Sequence, residues 1–197
     1  MKNLTIAILS TASLAFAAGT PAHAETTFNT GPFVGLSLGG AGLMPGSIGL
    51  TETGETEHDT GTGKLTAGYW FLPHWGVAAS YVDMGDFTQT YTGGSFQGTV
   101  RSAGLALLGR VAITDRWSLI GKMTLTHNRT KQTSVTGDSA QFSSLSGDST
   151  QVVWPGLEIN YAMSDKASIF VEAESRGEAA EKLDTAYAGI GVRWQQF

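Results

Sequence analysis

The side chains best suited to acid–base chemistry near neutral pH are His58, His74 and His127, the histidines that follow the first 24 residues. Acyl transfer from a hydroxyl needs a Ser, a His to take its proton and a carboxylate to orient that His. His74 falls in a short turn and reads as solvated. His127, in Thr126-His127-Asn128-Arg129, sits near the end of a strand and is the one serious candidate for a base. Geometry comes before proton affinity in such an assignment, and its surroundings do not supply the rest of a triad. Glu52, Glu55, Glu57, His58 and Asp59 form an acidic cluster of oxygen ligands, but without the ligand spacing and turn glycine of a calcium loop. It reads as a solvated charge cluster. No catalytic residue, metal site or cofactor is assigned.

The second group of reactive side chains is Lys64, Arg110, Lys122, Glu158, Glu172, Glu174, Arg176 and Arg193. Their meaning depends on the elements that carry them. From Val153 to Arg176 the chain alternates: Val153, Pro155, Leu157, Ile159 and Tyr161 on one face, then Ala167, Ile169, Val171 and Ala173 after Ser164-Asp165-Lys166. Period-two alternation across a short turn predicts a β-hairpin. One face is apolar throughout, and the other carries Glu158, Glu172, Glu174 and Arg176. Two more hairpins follow the same plan. Leu65–Phe71 leads through Leu72-Pro73-His74 into Trp75–Tyr81, and Leu105–Ile113 leads through Thr114-Asp115-Arg116 into Trp117–Leu125. With Phe33–Ala41 and Leu183–Trp194 the expectation is eight strands.

The first residues are of another kind. Met1-Lys2-Asn3, the apolar run from Leu4 to Ala18 and Ala22-His23-Ala24 make a secretory signal peptide, residues 1–24, cut after Ala24. The run is short for a spanning helix, which needs about 20 apolar residues. The absence of cysteine in an exported chain excludes a disulfide framework. A net charge of −5 offers no basic field for nucleic acid.

Long and short connections alternate. Leu43–Asp59, Thr88–Gly98 and Thr130–Gly147 are long, polar links, Gly177–Lys182 is a shorter one, and the hairpin turns are brief. A soluble sandwich gives no reason for that asymmetry, whereas an outer-membrane barrel has short periplasmic turns, long outer loops and an even strand count. Residues 25–197 are therefore expected to form an all-β, eight-stranded antiparallel up-and-down transmembrane barrel in the bacterial outer membrane. Its outward faces carry Val34, Leu36 and Leu38, Leu65 and Ala67, Val77 and Tyr81, and their equivalents in later strands. Tyr69, Phe71, Trp75, Trp117, Tyr161 and Trp194 collect near the short turns or the last strand's end and predict a periplasmic aromatic girdle. The eight charged residues then face inward. They are too many for a dry soluble core, but inside a small barrel they can pair across a lumen just wide enough for side chains. The expected pairing sets Lys64, Arg110 and Lys122 against Glu158, Glu172 and Glu174, with Arg176 and Arg193 nearer the ends.

Three stretches resemble hairpins of the OmpA-like transmembrane domain, a family of small outer-membrane barrels of Gram-negative bacteria. Gly68-Tyr69, with Pro73-His74-Trp75-Gly76-Val77 and Tyr81 to Phe87, is similar to its second hairpin. Thr114 to Lys122 resembles the third, and Pro155 to Lys166 the fourth. The resemblance implies a paired-charge interior and folding by the barrel-assembly machinery. The separate peptidoglycan-binding domain of full OmpA proteins has no counterpart in these residues. In the last strand Val192 and Trp194 keep the outward phase, but Gln196 continues it and leaves Phe197 one step out.

The role this implies is structural and surface-presenting: envelope integrity and loop-mediated binding, with a lumen plugged by paired charges. Outer-membrane lipids and lipopolysaccharide are the expected partners, with Arg101, Arg129 and Lys131 as candidate lipopolysaccharide contacts. Two alternatives stay open, a narrow porin-like channel for small solutes and a lipid A-modifying enzyme resting on His127. Deacylase-like barrels place a Ser two residues after that His, where Arg129 stands here.

Overall fold

The computed structural model describes residues 29–45, 57–58, 61–91, 94–137, 147–180 and 183–196. The proposed signal peptide, Phe197 and most of the acidic cluster lie outside the described residues. Nine strands are formed among those described: β1 (Gly31–Pro45), β2 (Glu57–His58), β3 (Thr62–Trp70), β4 (Trp75–Tyr91), β5 (Gly94–Ala112), β6 (Trp117–Gly137), β7 (Gly147–Ala162), β8 (Ala167–Ala180) and β9 (Leu183–Gln195). Eight of them close a ring in the order β1-β3-β4-β5-β6-β7-β8-β9, every neighbour antiparallel, while the two-residue β2 lies against Phe87 and Thr88 of β4. The ring shuts where β1 meets β9, from Phe33↔Gln195 to Pro45↔Leu183. Closure leaves none of these eight strands an open edge over its paired length, so backbone donors and acceptors are satisfied without water.

Turn chemistry sets the hairpins. Thr114 Oγ1 accepts from the Arg116 and Trp117 amides at 3.3 and 3.1 Å, and Ser164 Oγ accepts from those of Lys166 and Ala167 at 3.3 and 3.1 Å. The same side-chain-to-backbone device thus tightens the second and third turns. Pro73 serves the first, where the Leu72 and Trp75 amides exchange bonds with each other's carbonyls.

The strands run further than the sequence predicts. Thr88–Gly98, expected as a loop, instead continues the β4–β5 ladder to Tyr91↔Gly94, and Thr130 to Gly137 continues β6. Polar side chains do not stop a ladder whose bonds are all backbone. Inward Phe87 and Phe96, fully buried with ring centroids 5.6 Å apart, anchor the extension.

A second difference concerns β7. The β6–β7 register shifts between Lys122↔Gly156 and Thr124↔Val153. Pro155 has no amide to give a ladder, and a bulge is where a paired strand tolerates it. The extra residue inverts the phase beyond it. Val152 is 66% exposed and faces out, whereas Val153, expected on the outer face, is half-buried and comes near Gly177.

Elsewhere the outer face is apolar as its alternation implies, with Val34, Leu36, Leu38, Leu65, Val77, Leu105, Leu125, Val171 and Ile190 exposed. In water such a surface would be untenable for a monomer, and in lipid it is solvated.

Candidate functional site

The interior is layered. Nearest the short turns, Phe33, Trp70, Ala78, Leu108 and Ile120 form a buried apolar cluster, with the Phe33 and Trp70 rings 5.7 Å apart. Toward the other end Val82, Met84, Phe87, Phe96 and Val100 are buried. Charged side chains fill the space between.

Glu172 of β8 is the hub of this middle layer. Its carboxylate accepts from Ser37 Oγ at 2.7 Å, Lys64 Nζ at 2.7 Å and Lys122 Nζ at 2.5 Å. Lys64 also reaches Glu174 at 2.6 Å, and Glu174 is held by Arg176 as well. On the other side Arg193 Nη2 donates to Glu158 at 2.8 Å, its Nη1 lies 2.7 Å from the other carboxylate oxygen, and Lys122 Nζ lies 2.8 Å away. A hydrogen bond between ionised partners of this kind is roughly twice as strong as a neutral one.

Register explains why Lys122 is needed. Glu158 and Glu172 stand directly opposite each other on β7 and β8. Like charges in that position repel. Lys122, entering from β6, binds both carboxylates. It can do so because Gly156 separates it from Glu174 in the same row: a Cβ there would lie 3.1 Å from both the Lys122 and the Glu174 Cβ atoms.

Arg110 sits apart from the expected pairing. Its guanidinium donates to the Pro73 carbonyl at 2.8 and 3.1 Å and to that of Asn29 at 3.3 Å, and it stacks 4.1 Å over Trp70. It therefore stands at the turn end of the lumen, tied to the first turn. Arg193 lies 4.8 and 4.9 Å from the Phe33 and Phe170 rings, joining the charged layer to the apolar one. Arg176 donates to Ser80 Oγ at 3.1 Å, while its carbonyl accepts from Thr126 and Asn128.

Sequence reasoning did not single out Tyr187 or Ser37. The Tyr187 hydroxyl donates to Ser37 Oγ at 2.9 Å, Ser37 passes a hydrogen bond to Glu172, and Lys64 lies 5.4 Å over the tyrosine ring. Their inward phase was visible in the alternation, but nothing in the sequence tied them to Glu172. The space left among Lys64, Lys122, Glu174, Arg193 and Phe33 is about 20 Å³, room for one water.

The girdle residues gather at the turn end. Tyr69, Phe71, Trp75, Trp117 and Trp194 are each about half exposed, and half-buried Tyr161 packs against Trp117 at 4.8 Å while accepting from Arg116 at 3.3 Å.

The far end of the outer wall carries the remaining candidates in rows. Tyr81, Ala103, His127 and Thr150 are successive partners across β4, β5, β6 and β7, and Asp83, Arg101, Arg129 and Asp148 form the next row. Lys131 stands opposite Thr99 one row beyond. His127 Nδ1 lies 2.8 Å from Thr150 Oγ1. His74 Nδ1 lies 3.0 Å from the Arg110 carbonyl, and the two residues also share a backbone bond. Among the described residues no three His, Asp or Glu side chains converge as a metal site.

Comparison with known proteins agrees with this architecture. The family model described as outer membrane protein β-barrel domain matches residues 9–195. No curated protein matches the sequence. Among solved structures, Neisserial surface protein A superposes with a TM-score of 0.55 at 16% identity, over 84% of this chain and 97% of that one. The N-terminal β-barrel domain of OprF from Pseudomonas aeruginosa gives 0.52 at 12%, over 85% and 100%. Ail, the attachment invasion locus protein of Yersinia pestis, solved in complex with the heparin analogue sucrose octasulfate, gives 0.51 at 12%, over 85% and 99%. At such identities these likenesses concern the fold.

Proposed function

This chain belongs to the outer membrane protein β-barrel domain family and resides in the bacterial outer membrane, and from that premise we propose that it works as a closed, non-conducting barrel. On this reading it contributes to envelope integrity and presents its outer loops for binding, without catalysis. The observation that carries the reading is the filled lumen. Glu158, Glu172 and Glu174 are all engaged by Lys64, Lys122, Arg176 and Arg193, and the space beside them is about 20 Å³, room for one water at most. An ion crossing this layer would have to break hydrogen-bonded pairs, and apolar layers lie on both sides of it.

Biogenesis by the barrel-assembly machinery belongs to the same proposal. Ile190 and Trp194 of β9 are exposed on the lipid face, and the Gln196 amide continues the pairing to the Pro32 carbonyl at 3.0 Å. The test of the closed lumen is a planar-bilayer recording of the purified barrel. Its expected result is no steady current at moderate voltage in molar KCl, and a stable single-channel step would overturn the reading. Boiled and unboiled outer-membrane fractions compared by gel give the folded state of the same material.

A further inference from the structure

We propose that Arg101, Arg129 and Lys131 form a lipid-facing site on the outer wall for the phosphate of a phosphorylated glycolipid in the outer leaflet. Three observations combine. First, Arg101 and Arg129 are direct cross-strand partners on β5 and β6, and Lys131 is the next outward residue of β6. Like charges directly opposite each other destabilise a sheet, so an anion set between the two guanidinium groups would stabilise this arrangement. Inside the barrel the equivalent clash, Glu158 against Glu172, is bridged by Lys122. Outside, the flanking acids stand further off, Asp83 at 3.4 Å from Arg101 Nε and Asp148 at 3.7 Å from Arg129 Nε, and all four side chains are about half exposed. Asp86, nearby, is engaged by Thr99 Oγ1 at 2.6 Å.

Second, the wall is concave here. A depression of about 400 Å³ is lined by Arg101, Arg129, Lys131, His127, Thr99 and Tyr81 among others, with no carboxylate among the described residues of its lining. It is far larger than one phosphate and fits a phosphorylated sugar. Guanidinium forks match phosphate oxygens in pairs.

Third, the height is right. Arg129 stands on β6 beyond Trp117 by about 12 residues. At ~3.4 Å per residue and a tilt of ~40°, that is roughly 30 Å along the barrel axis, one hydrocarbon thickness from the girdle. The phosphate would sit at the outer headgroup level. Its acyl chains would run down past the His127 row onto the exposed surface of Leu105, Leu125 and Val152, two outward rows below the arginines.

The site depends on the outer-membrane placement but not on the closed lumen, so a conducting barrel would leave it standing. The test is native mass spectrometry of the full barrel in detergent, titrated with bisphosphorylated lipid A, dephosphorylated lipid A or inorganic phosphate. The wild type should retain bisphosphorylated lipid A. Arg101→Gln/Arg129→Gln/Lys131→Gln should weaken retention by at least about 100-fold, since a hydrogen bond to a charged group is worth roughly tenfold or more. Arg101→Lys/Arg129→Lys, which keeps charge but removes the forks, should fall between. Heat-modifiability of each variant reports its folding. If the triple variant does not fold, the Lys pair and the three-ligand comparison carry the test. Equal retention of dephosphorylated lipid A, an unaltered affinity in a folded triple variant, or inorganic phosphate binding as tightly as the lipid would each overturn the proposal.

Discussion

Replacing Lys122 by Met tests the interior most directly. The ammonium contacts Glu172 at 2.5 Å and Glu158 at 2.8 Å, and these two carboxylates face each other across β7 and β8. Methionine matches most of the stem, so little packing is lost and the missing charge dominates. Removing one partner of a buried ion pair costs about 3–5 kcal/mol. The cost here belongs near the lower end, about 3 kcal/mol, because each carboxylate keeps a partner: Arg193 for Glu158, and Lys64 with Ser37 for Glu172. Reversible urea unfolding of the barrel refolded into lipid vesicles measures it, with the five tryptophans as reporters. The companion variant is Lys122→Met/Glu172→Gln, which removes the repulsion along with the bridge. It should recover about 1–3 kcal/mol relative to the sum of the single changes. A Lys122→Met barrel within about 0.5 kcal/mol of wild type, or strict additivity in the cycle, would refute a bridged carboxylate pair.

Arg193→Lys keeps the charge but loses the planar guanidinium that sets Nη1 and Nη2 against Glu158, and should cost about 1–2 kcal/mol in the same unfolding assay. Trp70→Ala empties a fully buried site in the turn-end cluster and should cost about 3–5 kcal/mol. Trp75→Ala, half exposed on the wall, should cost clearly less in a micelle, so equal losses would contradict the assignment of faces. Gly177→Ala should destabilise by about 1 kcal/mol or more, since φ is +70° and the added Cβ would meet the Gln151 side chain.

Much of this was legible in the chain, and the limits have physical causes. Hairpin turns announce themselves because Thr114 and Ser164 act locally, on amides two and three residues away, and Pro73 acts through its own fixed φ. The faces announce themselves because period two is intrinsic to a strand. Strand ends do not: the extension through Thr88 to Gly98 depends on long-range pairing and on Phe87 meeting Phe96, which no local pattern encodes. The bulge at Pro155 was foreshadowed by the proline, but its consequence, the exchange of Val153 for Val152 on the outer face, follows from which partner strand absorbs the extra residue. Arg110 shows the same limit. Its charge suggested a carboxylate, whereas its position beside the first turn puts the Pro73 carbonyl within reach.

Inside and outside, the barrel meets the same electrostatic problem and treats it differently. On the lumen side two glutamates are forced opposite each other by register, and a lysine from the adjoining strand enters a gap kept open by Gly156 to neutralise both. Burial demands this, because an unbridged charge has no water to screen it. On the wall two arginines are forced opposite each other by the same kind of register, and the flanking Asp83 and Asp148 approach them at 3.4 and 3.7 Å. Where the loop end of the wall meets lipid headgroups, the counter-ion need not come from the protein, since the leaflet can provide it as phosphate. The contrast between a clash bridged at short range within the lumen and one flanked by longer contacts at the surface is the ground for proposing a ligand site on the wall and not in the lumen.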